Sequence, residues 1–273
     1  MRTKRIVSNI FFYLMVLTIG FVAIVPVYIL FKVSVSSPAE VLTQNPSFFI
    51  KEFTTTHWQR VFLSGNIWPP FTKSFVVATV TAAIALVIVV PAAYVVSRLG
   101  RMVKYTFIMV LFFTRMFPTV GIALPISRIF LNWGLLDTYT GLVMANLVTQ
   151  IPFMVWILIS AFESIPSDVE EAAYIDGCTR IMTLVKIVLP LALQGIAVSV
   201  MYVWLNVWNE FTYARYLSLS TRNLPLQIFY YVERGGFFQQ AAYASILAIP
   251  VITVTFILQR YLKSGYLSGS IKG

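Results

Sequence analysis

Apolar runs too long for a soluble core set the first limit on what this chain can fold into. Positions 6–31, 74–97, 138–162, 187–209 and 235–259 contain no Asp, Glu, Lys or Arg, and 105–127 is interrupted only by Arg115. A helix needs roughly 20 apolar residues to cross a hydrocarbon core, so each run is long enough. Of the 273 residues 59% are hydrophobic and only 11% are charged, with a mean hydropathy of +0.82, which excludes an ordinary soluble domain. Outer-membrane barrels show alternating segments of about 10 residues, and no such pattern is visible. The expectation is an all-α, polytopic membrane protein with six transmembrane helices. The first run exceeds the core of a cleavable signal peptide, about 7–15 residues, and reads as a retained signal anchor.

Six spans put both termini on one side, together with 98–104 and 163–186. That set carries eleven Lys and Arg in fifty residues, against eight in seventy-seven for 32–73, 128–137 and 210–234. The denser side is expected to be cytoplasmic. The net charge of +10 therefore reads as topology and contact with membrane lipid. No nucleic-acid partner is expected, because the bases are scattered singly. Cys178 is alone on the cytoplasmic side, which leaves no disulfide framework or Cys-based metal site. His57, also alone, is expected as a solvated or interfacial residue of an outer segment.

No connection has room for a soluble domain. In 32–73, "TTTHWQRVFLSG" spaces Trp58, Val61 and Phe62 as a short amphipathic helix, suited to the outer membrane surface. In 210–234, "TRNLPLQIFYYVERGG" reads as an interfacial or partly re-entrant piece. Pro26, Pro91, Pro118, Pro125, Pro152 and Pro250 lie within the runs, and Pro190 stands at the entrance of the fifth. That distribution fits the general tolerance of membrane helices for proline and equally a kinked bundle around a substrate path. Arg115 lies ten residues into its run, about 15 Å deep at 1.5 Å per residue, where a charge needs a partner helix or a wet cavity. Glu210 falls at the outer interface. A secondary carrier or channel acting alone would show intramembrane carboxylates or an inverted repeat, and neither is evident. An intramembrane enzyme is disfavoured by a single His, a single Cys and no paired acid in the spans.

Residues 166–177 read as a separately bounded helix. Ser167 is placed to cap its start, Glu170 to complete an S-x-x-E capping box, and Gly177 to stop it. Val169, Ala172, Ala173 and Asp176 fall at i, i+3, i+4 and i+7, predicting a small, shallow face. The helix carries Asp168, Glu170, Glu171 and Asp176 and no base. A helix lying on lipid would show the opposite charge. An acidic one suits a basic groove on a cytosolic protein. After Gly177, "TRIMTLVKIVL" leads to Pro190, whose fixed φ suits the opening turn of the fifth span.

Glu171-Ala172-Ala173, three residues, Gly177, nine residues, Ile187, one residue and Leu189-Pro190 resemble the EAA signature of the membrane subunits of binding-protein-dependent ABC importers. "TRMFPTVGIALPI", "WGLLDTYTGLV", "IPFMVWIL", "VWNEFTYA", "NLPLQIF" and "QRYLKSGYLSGSIKG" are similar to the shorter permease subunits of the maltose-type carbohydrate group, over nearly the whole chain. The resemblance implies a type I ABC importer permease fold in a bacterial or archaeal cytoplasmic (inner) membrane. It implies as partners a second, related permease subunit in a heterodimer, two ABC ATPase subunits and an extracytoplasmic sugar-binding protein. It assigns ATPase coupling to Glu170, Glu171, Ala172, Ala173, Asp176, Gly177, Ile187, Leu189 and Pro190, and an ATPase contact to the tail residues Ser270, Ile271, Lys272 and Gly273. No cofactor is expected in the chain: it has no G-K-[ST] and hence no P-loop, so ATP and Mg belong to the partner ATPases. Arg115, Trp208, Asn209 and Glu210 are candidates for pore, gate or substrate contact, with structural or gating roles ahead of direct sugar ligation. An importer of a non-sugar solute would share the EAA loop, and the flanking motifs argue against it.

Overall fold

The computed structural model describes residues 2–234 and 236–269, and among them the regular structure is helical, with one isolated β-bridge in the connecting segments. The apolar runs become α1 (Arg2–Val35), α4 (Trp68–Ser97), α7 (Tyr139–Glu163) and α14 (Phe237–Gly269), which contain spans Asn9–Val35, Trp68–Ser97, Tyr139–Glu163 and Phe237–Ile257. The count reaches six only when two bent helix pairs are each taken as one span.

Those pairs correct the expected third and fifth spans, which are not straight. In the first, α5 (Arg101–Phe113) runs into a 3-10 turn at Thr114–Met116, and α6 (Thr119–Asn132) leaves at 83°. Pro118 is the cause: it disfavours helical geometry in the residue before it, and Phe117 is extended at φ −80°, ψ 132°. In the second, α9 (Arg180–Thr183), a π-helical turn Leu184–Val188 and α10 (Leu189–Leu191) precede α11 (Leu193–Trp208), which leaves at 78°. Pro190 cannot bond to the carbonyl four residues back and crowds it, and the wider π turn lies at that point. Pro190 therefore sits ahead of the bend and does not open the span.

The chain divides into two compact units. One comprises, among the described residues, 2–67, 227–234 and 236–249. Here α2 (Pro38–Val41) and α3 (Thr56–Leu63) follow α1. The connection folds back on the end of α1: Ser36 bridges Phe53, Thr54 N–H donates to the Val35 carbonyl at 2.7 Å, and Lys32 pairs with Glu40 at 3.2 Å. The amphipathic helix forms where its periodicity placed it, with one correction. His57 is buried, its ring stacked on Phe238 at 4.6 Å and its Nε2 3.1 Å from the Ser36 carbonyl, while Phe62 is 42% exposed. The imidazole ring presents flat faces suited to stacking, and its Nδ1 is buried without a hydrogen-bond partner.

The other unit comprises, among the described residues, 68–226 and 250–269. Its core is α4, α7 and α11 packed together. Ala78, Ala82, Ala85, Val89 and Ala93 form a buried seam of mostly small side chains along α4, which lets membrane helices approach closely where hydrophobic driving force is lacking. On α11, Gly195 faces α7 so tightly that a Cβ there would lie 2.2 Å from the Ala161 Cβ. Thr138 caps α7 by accepting the Gly141 N–H at 2.9 Å.

Candidate functional site

Helix α8 (Ser167–Ile175) occupies the expected position, but its ends are built differently from expectation. Pro166 takes the N-cap position, Ser167 is already helical, and no side chain caps the start. Glu170 does not reach back to close a capping box. It turns inward, 5% exposed, where its carboxylate accepts the Tyr94 hydroxyl at 2.6 Å and pairs with Arg98. The C-terminal turn agrees with the sequence: Gly177 has φ +86°, Gly177 N–H bonds the Tyr174 carbonyl at 3.1 Å and Cys178 N–H the Ala173 carbonyl at 2.9 Å. This pair of bonds is a Schellman stop, which needs a left-handed residue at Gly177.

The expected small face is split. Ala173 is buried beside Glu170, whereas Val169, Ala172 and Asp176 are exposed. The outward surface of the helix therefore presents Asp168, Glu171, Ala172 and Asp176 together with Ile175, which is 86% exposed. Downstream, Thr179 caps α9 by accepting the Met182 N–H at 3.3 Å. Ile187 is half-buried, and Leu189 and Pro190 line an open apolar groove of about 540 Å³ with Leu86, Val90 and Pro91 of α4.

The candidate pore residues do not converge on one cavity. Arg115 lies in the 3-10 turn at the first bend, where it donates to the Tyr202 hydroxyl at 3.1 Å, and the Tyr202 ring stacks on Phe153 at 4.2 Å. It braces the bend against α11 and α7. Trp208 is fully buried, parallel to Trp204 at 5.1 Å and edge-on to Phe71 at 5.7 Å, so it is a core residue with no face free for a sugar. Asn209 is exposed and donates back to the Leu205 carbonyl at 2.8 Å. Glu210 starts α12 (Thr212–Leu217), accepting the N–H groups of Tyr213 at 2.5 Å and Ala214 at 3.0 Å. Burial pushes its carboxyl up to about 7, against the lowering effect of those N–H bonds.

A polar cluster that sequence reading missed closes the opposite end of this unit from α8. Lys73, 2% exposed, donates to the Thr221 carbonyl at 2.7 Å and lies 3.8 Å from Asp137. Asp137, in left-handed geometry at φ 61°, accepts N–H bonds from Leu219 at 2.9 Å and Ser220 at 3.1 Å. Beside it, Ser74 accepts the Leu224 N–H at 2.9 Å, at the start of α13 (Leu224–Glu233), and Asn223 donates to the Glu210 carbonyl at 2.5 Å. A lysine at the edge of a charge-free run was the available signal. Tyr94 and Arg98 were marked only by their place at the end of the second run. The tail residues Ser270, Ile271, Lys272 and Gly273 lie outside the described residues.

The model of one protein family, described as a binding-protein-dependent transport system inner membrane component, matches residues 89–267. A probable ABC transporter permease protein of Sinorhizobium fredii, y4oR, is 31% identical over 83% of both chains. The sulfoquinovosyl glycerol transport system permease protein SmoH of Agrobacterium fabrum is 31% identical over 90% of this chain and 88% of its own. Among solved structures, a chain of a bacterial ABC transporter involved in the import of the acidic polysaccharide alginate superposes with a TM-score of 0.76 at 25% identity, covering 96% of this chain and 98% of its own.

Proposed function

The chain belongs to the inner membrane components of binding-protein-dependent transport systems, and from that premise we propose that it forms half of an ATP-driven import path for a sugar or related carbohydrate. It is a multi-pass inner-membrane permease subunit of the ABC type. The carbohydrate class is supported by SmoH and by the alginate importer, which match along almost the whole chain.

The observation that carries the ATP-coupled reading is the outward surface of α8. Three acids surround an isoleucine that is 86% exposed, on a helix whose own chain buries only Glu170 and Ala173. An exposed apolar anchor within a charged rim has the anatomy of a protein-docking surface. Its occupant is a cytosolic ABC ATPase, which places both termini in the cytoplasm and leaves ATP and Mg to two such subunits. A second permease completes the path, and an extracytoplasmic sugar-binding protein delivers the substrate. Closure of the ATPases moves the docked helices together and swings the spans between inward- and outward-facing states. Glu171 and Asp176 supply charge to the dock, and Gly177, Ile187, Leu189 and Pro190 shape the connection into α11. An ATPase contact is assigned to the tail residues Ser270, Ile271, Lys272 and Gly273 as well. Arg115, Trp208, Asn209 and Glu210 hold the geometry of the path.

The test is uptake by proteoliposomes containing this chain with its partner permease and ATPases, supplied with a sugar-loaded binding protein. Uptake is expected only when ATP is enclosed with the ATPases and binding protein is outside. Accumulation without ATP, driven by an ion gradient, would sink the reading in favour of a secondary carrier.

A further inference from the structure

Helix α8 rests on the remainder of its unit through a narrow footprint, since Glu170 and Ala173 alone among its nine residues are buried. Ala173 contributes a methyl group. Glu170 contributes a carboxylate bound by Tyr94 and Arg98, both at the end of α4. The Arg98 guanidinium also reaches the Ile165 carbonyl at 3.4 Å, in the turn after α7, and lies over the Tyr94 ring at 5.8 Å. The Tyr94 ring is in turn edge-on to Phe162 of α7 at 5.9 Å. The ends of two core helices and α8 thus meet at one side chain.

A buried ion pair adds little net stability, because desolvation offsets most of the attraction. A well-packed apolar residue would hold α8 as firmly. The pair supplies direction: a carboxylate gripped by a guanidinium and a hydroxyl admits few orientations, and pulling it out leaves an unpaired buried charge. Other routes from α8 into the membrane are the Tyr174 side chain, which also bonds Tyr94, and the chain itself, through the three-residue turn 164–166 back to α7 and through the Gly177 turn and the four-residue α9. The chain routes pass through turns, whereas the Glu170 carboxylate grips the end of a 30-residue core helix directly.

We infer that Glu170 is a positioning residue for the transport step, a latch that delivers displacement of α8 to α4. The inference rests on the ATPase-facing role proposed for α8. In that arrangement Glu171 meets the partner and Glu170 conveys the movement. Losing the latch uncouples without undocking.

The experiment uses the assembled transporter in proteoliposomes, with Glu170→Arg, Arg98→Glu and the double reversal. It reads ATPase co-purification, ATP hydrolysis and sugar accumulated per ATP hydrolysed. Tyr94 can serve either charge, because a hydroxyl both donates and accepts. Each single variant is expected to retain its ATPases and hydrolyse ATP within about twofold of wild type while carrying about tenfold less sugar per ATP, and the double to recover within about threefold of wild type. If a reversed single variant does not assemble, Glu170→Gln and Tyr94→Phe carry the test, each expected to lower the ratio about threefold at unchanged ATPase content. Unchanged ratios in the assembled single variants, or a double reversal no better than either, overturn the latch. Loss of ATPase from a Glu170 variant whose membrane subunits remain paired also overturns it, by making Glu170 a docking residue. Wild-type uptake without ATP overturns the ATP-driven reading and the latch together, and is seen before any variant is made.

Discussion

Glu170 and Glu171 are neighbours in the chain and face opposite ways: Glu170 is 5% exposed and paired with Arg98, while Glu171 is exposed. At 3.6 residues per turn, consecutive side chains on a helix diverge by about 100°, so one must face away when the other is buried. Two identical side chains thereby receive different tasks, one toward the chain's own core and one toward a partner.

Glu171→Lys is expected to leave the fold intact, within about 0.5 kcal/mol of wild type, because an exposed side chain without buried partners is replaced. Its effect falls on the dock. Purified complexes should hydrolyse ATP with weakened dependence on sugar-loaded binding protein, and uptake should drop. Normal coupling would remove Glu171 from the docking surface.

Gly177→Ala tests the turn. At φ +86° a Cβ is strained by about 1–2 kcal/mol, and because nothing lies within 4 Å of that Cβ the strain is conformational and not a clash. Asparagine tolerates this geometry, so Gly177→Asn should be milder. Hydrogen exchange at Cys178, whose N–H is bonded to Ala173, should quicken more in the alanine variant than in the asparagine one. Equal protection in both would show that the turn does not depend on glycine.

Gly195→Leu should be severe. A Cβ at this position meets the Ala161 Cβ at 2.2 Å, so α11 must move off α7, and overpacking of this kind costs about 1–3 kcal/mol or more. A lowered unfolding midpoint in detergent, partly restored by Ala161→Gly, is the expected signature. A rise in the midpoint would contradict the close approach.

Asp137 links stability to pH. Burial pushes its carboxyl up, but the bonds from Ser220 and Leu219 and the Lys73 charge outweigh that and hold it below the ordinary carboxylate range. A depressed folded value contributes stability above the unfolded pKa and loses it as pH falls through the folded one. The wild-type midpoint should therefore fall on acidification below about pH 4, more steeply than that of Asp137→Asn. At neutral pH the Asn variant should be weaker by about 1–3 kcal/mol, the worth of hydrogen bonds to a charged group. Parallel acid profiles would show that Asp137 is not the group responsible.

Local features were legible where local physics decides them. The amphipathic α3 and the Gly177 stop follow from periodicity and from the backbone freedom of glycine, and both formed. Ser167 and Glu170 matched a capping box equally well on spacing. The box lost because Arg98, 72 positions away, offers a buried carboxylate a full charge, whereas the helix start offers one N–H. Trp208 read as a candidate for pore, gate or substrate contact, and Trp204 and Phe71 enclose it; His57 read as solvated or interfacial, and Phe238 covers it. In each case the deciding partner was absent from the segment being read.

The sequence by itself determined that this chain is helical and apolar enough to cross a membrane, and which loop carries the acidic helix. Transfer of apolar side chains from water is nearly additive along a segment, and a backbone in lipid must bond internally, so composition and length suffice. Only the tertiary structure decided where the third and fifth spans bend, which of two adjacent acids is anchored, and that Lys73 and Asp137 close one end of the second unit. Those outcomes depend on desolvation and on partners brought together from distant positions, and a buried charge takes its meaning from what it meets.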